Sequence, residues 1–487
     1  MGVLSGIDKN IKVFDFFEEL SNIPRGSGNI DAVSDYLVDF AKKRNLEYVQ
    51  EDCKNVIIRK PATPGYEHIA PVMLQSHIDM VCEKNDDKEH DFLKDPLKLI
   101  IKDDYIYADK TTLGADNGVG VAYMLAVLDD KTLKAPMVEA IFTVDEETTM
   151  LGAYMLEPEH IKSKYMINID SDEEGVILQG CAGGCSSLFT INASSIDAPK
   201  NTKPMRLAVT GLKGGHSGGE IDKNRGNSNL LMGRLLNVLR ENKIEFYIAE
   251  INGGKKNNVI PRECICLIAI EAAKTELAKS VLSKYAQVIK QQLKGIDDNF
   301  VFTADEAAAL KKCFDEKSTN QILDIILLAG NGVMQMSLDM PGLVETSSNL
   351  GVINTDKDKV LFSILSRSSI ESALMDIVSK HKALSRLVGC DYENEKFYPG
   401  WRFNPDSKLA KISANVYKKM YKKAPRIEAI HAGVECGIIL KKAPELDIIS
   451  LGANLYDIHT PDEHMSISSV IRTYHYITGI LEAMKDI

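Results

Sequence analysis

The stretch Val72–Asn85 (VMLQSHIDMVCEKN) decides the fold. With Pro71 before it, the run PVMLQ (71–75) is short and apolar, and it is closed by His77 and Asp79. Such a run, too short for a helix, reads as a buried strand with polar residues at its C-terminal end. The runs NVIIR (55–59), VEAIFTV (138–144) and YMINI (165–169) share the pattern. Residues 31–44 (DAVSDYLVDFAKKR) space their apolar side chains for an amphipathic helix, with further helices over 118–129 and after Thr149. Buried strands alternating with helices predict an α/β layer with a mostly parallel central sheet flanked by helices.

Downstream of about residue 181 the pattern changes to α+β. The order expected is a helix over 225–241, strands over 244–251 and 258–270, a helix over 272–293 and a strand near 299–303. The theme then repeats: a helix over 320–329, strands near 347–354 and 359–366, a helix over 370–388 and a strand near 391–397. NNVIPRECICLIAI and SSNLGVINTDKDKVLFSIL occupy matching places, which suggests two duplicated units. Pro399–Gly400 breaks the pattern, and helices over 407–422 and 468–486 flank LDIISLG (446–452), one more buried strand. The simplest architecture is a catalytic domain of residues 1–184 and 401–487 interrupted by an inserted α+β domain, 185–400. Insertion at exposed glycine-rich turns is physically easy.

Composition narrows the classes of function. The 487 residues are 44% hydrophobic and 26% charged, with a net charge of −11 and no basic tract. Nucleic-acid binding lacks its electrostatic footprint here. The longest nearly apolar stretch, GVGVAYMLAVL (118–128), falls short of a membrane span. The opening MGVLSGIDKN lacks the basic-then-apolar order of a secretory signal, and Gly6 stands where a myristoylation motif needs Ser or Thr. Nine cysteines, without paired CxxC motifs, read as reduced thiols in a cytoplasmic protein.

The chemistry-bearing residues fall at strand ends. His77 and Asp79, two apart, project to one face, which suits a metal-ligating imidazole with an orienting carboxylate; most HxD pairs, however, are simple turns. Asp116 sits in the glycine-flanked turn TTLGADNGVGVA, where an Asx turn or helix N-cap is the plainer reading. FTVDEETTMLGA sets Glu146 beside Glu147; on a strand they would face opposite ways, although most DEE triplets are solvated turns. Asp170 ends YMINID, and LYDIHTPDEHMSIS supplies His459 and His464, the latter reading as a loop residue. Asp462 or Ser466 could cap the last helix. Three carboxylates and two imidazoles form a sensible ligand set for two divalent ions. With a bridging hydroxide the charges would sum to zero, so the site could lie partly buried.

In order and spacing, QSHIDMVCEKN, TLGADNGVGVA, TVDEETTMLGA, NIDSDEEG, GLKGGHSGGEI, HAGVECG and the IHTPDE loop resemble the aminoacyl-histidine (Xaa-His) dipeptidase family. This is a branch of the carnosinase-like di-zinc exopeptidases, and the resemblance spans essentially the whole chain. It implies that His77, Asp116 and Asp170 hold one zinc ion and that Asp116, Glu147 and His459 hold the other, with manganese or cobalt as alternatives. It makes Asp79 the supporting carboxylate, Glu146 the general base, and the inserted domain a lid. On the lid side, His216 would meet the scissile carbonyl, Asn258 the substrate and Arg367 its carboxylate, while the glycine-rich HAGVECG would offer backbone contacts through Gly433. By themselves, Asn258 could stabilise a turn and Arg367 could be a surface residue. A cis peptide after Asp116 is a further family feature. The implied activity is hydrolysis of small dipeptides, Xaa-His and β-Ala-His among them. The alternatives are an N-acyl amino acid hydrolase and a non-catalytic binding protein. Neither nucleic acid nor membrane is an expected partner, and the chain could be a monomer or a homodimer.

Overall fold

Helix Asp31–Arg44 shows how pattern becomes structure. Its apolar stripe buries Val33, Leu37, Val38, Phe40 and Ala41. It ends in a last turn bearing Lys42, Lys43 and Arg44, where cations complement the helix dipole. Asn45 then turns the chain in the left-handed conformation, φ 55°. The computed structural model describes residues 2–487, and within it the chain packs as two compact units. One comprises the chain up to Gly180 with Phe403–Ala429 and Val434–Ile487; the other comprises Cys181–Arg402 with Ile430–Gly433.

The first unit is built on an eight-stranded sheet. Its order is Glu47–Gln50, Val56–Lys60, Val138–Thr143, Val72–His77, Tyr165–Asn168, Asp447–Ser450, Val176–Cys181 and Arg426–Ile430. The four central strands, from Val138–Thr143 to Asp447–Ser450, run parallel. Antiparallel pairings flank them on both sides, so the sheet as a whole is mixed. The late strand Asp447–Ser450 completes the sheet beside Tyr165–Asn168, in register Ile449↔Ile167. Strand Val72–His77 lies at the centre, buried at every position. That placement explains the apolar start Val72–Leu74, since a central parallel strand is covered on both faces, while Gln75, Ser76 and His77 bring buried polar groups to its C-terminal end.

The second unit carries a nine-stranded sheet made of two similar halves. Along the sheet the first half runs Val301–Glu306, Thr202–Thr210, Cys264–Glu271, Phe246–Gly253. The other, read from the opposite edge, runs Asp391–Tyr398, Gly183–Asn192, Lys359–Ser368, Val344–Asp356. Each half has the chain order strand, helix, two strands, helix, strand, and the halves meet at Gly253↔Ile353. The duplication is therefore present, but one half is inserted into the other: strand Gly183–Asn192 precedes the first half and pairs within the second. Helices Ser228–Glu241, Thr275–Gln292, Glu316–Leu328 and Glu371–Val388 bury Leu235, Leu282, Ile322 and Leu384 in one core with that sheet.

Among the described residues, no cysteine is in a disulfide. Among the described residues, no helix is long and apolar enough to cross a membrane.

Candidate functional site

In the first unit the parallel central strands bring their C-terminal ends to one edge, where open α/β sheets place their sites. The ladder continues just past the strands, with Ile78 N donating to Thr143 O and Ile169 N to Gln75 O. His77 is buried and faces a carboxylate from each neighbouring segment. Its Nε2 lies 3.2 Å from Asp116 Oδ1 and 3.3 Å from Asp170 Oδ1, and its Nδ1 is 3.4 Å from Asp79 Oδ1. Asp79, fully buried, also accepts from Glu146 N at 3.0 Å, Glu147 N at 3.3 Å and Ser27 Oγ at 2.8 Å. One carboxylate thus ties the His77 strand end to the glutamate turn.

Asp116 is not the Asx turn or cap that its local sequence suggests. Helix Ala115–Asp129 starts after Gly114, which is left-handed at φ 64° and gives no side-chain cap, and the Asp116–Asn117 peptide is cis. Asp116 instead turns one oxygen to each imidazole, Oδ1 to His77 and Oδ2 to His459 Nε2 at 3.4 Å. Asn117 Nδ2 donates to Asp170 Oδ1 at 2.8 Å. Gly120 lets this helix approach the strand ends: a Cβ there would lie 2.5 Å from both Ile169 O and Ser76 Oγ. Glu146 and Glu147 do not extend a strand but open the helical turn Glu146–Thr149, after Asp145 in the left-handed region. Their divergence is that of successive helical residues, not the alternation of a strand. His459, itself at φ 64°, reaches Glu147 Oε2 at 3.1 Å. His464 lies outside this cluster, stacked on Tyr107 and Tyr456. Ser466, not Asp462, caps the last helix by accepting from Ser469 N.

Three overlapping donor sets result: His77, Asp116 and Asp170; His77, Glu146 and Glu147; and Asp116, Glu147 and His459. Within each set the donor atoms lie within 4.8 Å of one another. Their chemistry fits divalent cations. Glu147 Oε1 is buried with no hydrogen-bond partner. The carboxylates also draw protons onto their neighbours. Hydrogen bonds to Asp116 and Glu147 raise His459 to about 10. Burial would lower His77, yet Asp170, Asp116 and Asp79 hold it well above its ordinary value. Burial pushes Asp170 up to about 6 and Glu146 well above the carboxylate range. Burial opposes ionisation of Asp116 as well, but His459 and His77 keep it low. Anionic oxygens this crowded call for positive charge.

The second unit gathers a different set. His216 lies on the short strand Gly215–His216, paired with Val259 beside Asn258, whose carbonyl accepts from Ser217 N. Gly218 N and Gly219 N both donate to His216 Nδ1, at 3.3 and 3.2 Å. Burial and Arg367 lower the pKa of His216, so the ring is neutral with its proton on Nε2. Arg367 is only 5% exposed, is no surface residue, and takes part in none of the ion pairs among the described residues. Its Nη1 donates to Tyr398 OH at 2.7 Å, and its Nε finds no partner.

Ser347, Arg367, Gly184 and Tyr398 form one cross-strand row, with Tyr398 lying over Gly184 where a Cβ would collide with it. Gly433 abuts the same tyrosine. His431 Nε2 meets Ser347 Oγ at 2.7 Å; burial, Arg367 and His216 depress its pKa to about 3. Tyr398 and His431 escaped the sequence reading. The first carries no motif, and the second stands in HAGVECG, two residues before Gly433.

The chain belongs to the peptidase family M20/M25/M40, whose family model matches residues 73–483. It is 37% identical over 475 residues to the cytosol non-specific dipeptidase of Escherichia coli (strain K12), covering 98% of this chain and 97% of the relative. It is also similar to the crystal structure of an aminoacylhistidine dipeptidase from Vibrio alginolyticus. That match has a TM-score of 0.93 and 35% identity and covers 99% and 98% of the two chains. An aminopeptidase PepT from Bacillus cereus shares the fold at a TM-score of 0.57 and 17% identity, covering 98% of this chain and 100% of that one.

Proposed function

We propose that this protein is a cytoplasmic metal-dependent dipeptidase, acting on dipeptides that include Xaa-His and β-Ala-His, with the second unit as its lid. The observation that carries the reading is the pair of donor sets sharing Asp116, with Glu146 beside them. Near full-length similarity to a named dipeptidase supports it. His77, Asp116 and Asp170 would hold one ion, and Asp116, Glu147 and His459 the other. Zinc is favoured by the two imidazoles. Bound there, the ions would polarise the scissile carbonyl and acidify a water.

The remaining work belongs to this chain's own groups. Asp79 fixes the His77 ring from its Nδ1 side. Glu146, held by its backbone to Asp79, takes the proton of the attacking water and returns it to the departing amine. His216, with its proton on Nε2, donates to the carbonyl oxygen as negative charge develops there. Arg367, a buried cation without a carboxylate partner, pairs with the free carboxylate of the substrate. Asn258 and Gly433 contribute to the same binding surface.

Hydrolysis of β-Ala-His, Leu-His, a tripeptide and an N-acetyl amino acid, each with and without chelator, tests the proposal. Chelator-sensitive cleavage of the dipeptides is expected. Preference for the N-acetyl substrate would instead make the protein an acylamino-acid hydrolase, and the absence of all cleavage would refute the reading.

A further inference from the structure

Glu463 lies four residues beyond His459 and is 2% exposed. It is buried against a row of backbone donors. Its Oε2 accepts from Leu113 N at 2.8 Å and Gly114 N at 2.9 Å, and its Oε1 from Ala115 N at 2.8 Å and Asp116 N at 3.2 Å. Four successive N–H groups converging on one carboxylate form an anion nest, made possible by the left-handed turn at Gly114. Arg25, equally buried, closes the clamp from the other side. Its Nη1 donates to Ile78 O and Asp79 O, and its Nη2 donates to Gly114 O.

Three chain segments are thereby tied in series. Arg25 joins the His77–Asp79 strand end to the 113–116 turn, and Glu463 joins that turn to the His459 loop. We infer that Glu463 is a positioning residue: it sets the separation of Asp116 and His459, and with it the shape of the donor set they share with Glu147. The inference rests on reading that cluster as a metal centre. The charge and length of Glu463 both matter. A glutamine of the same shape would turn an NH₂ group toward two N–H donors, and an aspartate could not span the four donors. Either change frees the turn carrying Asp116 from the loop carrying His459, while all five proposed ligands remain.

Titration of the metal-free full-length protein with Co²⁺, followed by visible absorption, tests this. The wild type should take up two equivalents; if it does not, the metal-centre reading fails whatever Glu463 does. In Glu463→Gln the second equivalent should bind roughly 10- to 100-fold more weakly, with an altered d–d spectrum, while the first weakens less than about threefold. Uptake of both ions with wild-type affinity and spectrum, alongside a lowered melting temperature, would reduce Glu463 to a stability element. Glu463→Asp carries the same test should Glu463→Gln not fold. If neither variant folds, with or without Co²⁺, the inference is likewise overturned.

Discussion

Arg367 permits a quantitative test because its surroundings leave a cation unanswered. The guanidinium is buried, Tyr398 OH is a neutral acceptor for Nη1, and Nε has no partner. A substrate carboxylate would add charge-assisted hydrogen bonds in a site shielded from water. Each such bond contributes about 1.5–3 kcal/mol, and a coupled pair about 3 kcal/mol, a factor of about 150 in kcat/KM. Kinetics of Leu-His and its C-terminal amide should be measured with wild type and Arg367→Ala. In wild type, amidation should lower kcat/KM by about 150-fold. Arg367→Ala should lose a similar factor on Leu-His, mainly through KM, since the contact forms in the ground state. For that variant, amidation should then cost less than about threefold, the coupling appearing in the double-mutant cycle. Equal amidation penalties in the two enzymes would refute the assignment of Arg367 to the carboxylate.

Glu146→Gln should lower kcat by roughly 10²–10⁴ while metal analysis still finds two ions per chain; normal turnover would remove Glu146 from the mechanism. Chelation should abolish activity and added zinc restore it, and His459→Ala should lose one ion preferentially. Activity surviving in fully demetallated protein would contradict the proposed chemistry. In the second unit, His381 is buried neutral, with its Nε2 donating to Ala329 O at 2.7 Å and its Nδ1 2.9 Å from Ser187 Oγ. Burial lowers its folded-state pKa below the unfolded value of 6.5, so the unfolded chain takes up the proton first as pH falls. Its contribution is present above pH 6.5 and is lost on descending from there toward the folded-state pKa. Urea unfolding read by the single tryptophan, Trp401, in that unit should show a shallower loss of stability below pH 6.5 for His381→Gln than for wild type. Parallel pH profiles would exclude His381 as the titrating group.

Local pattern placed the central strands and most long helices, but not helix Val13–Ser21 or the sheet strands Glu47–Gln50, Val176–Cys181 and Arg426–Ile430. The stretches 72–77 and 138–143 are central strands whose mostly apolar residues match cover on both faces, with Gln75 and Glu139 buried among hydrogen-bond partners. The carboxylates and imidazoles were legible as a group because each closes a strand or opens a turn. Conformation at single residues was less legible. Glu146 and Glu147 have the same local sequence whether the chain continues as a strand or turns helical, and the left-handed Asp145 decides between them.

The sequence by itself determined which residues could carry the chemistry, and that strands and helices alternate in its first part before an α+β pattern takes over. These follow from side-chain type and from periodicities of two and 3.6, which are local properties. Only the tertiary structure decided that strand Gly183–Asn192 belongs to the second half of its sheet, that Arg367 is buried without an acid, and that Glu463 closes on residues 113–116. Each depends on a partner far along the chain. Glu463 and Leu113, 350 residues apart, meet because the sheet brings their loops to one edge, and no local pattern records which distant backbone a buried carboxylate will find.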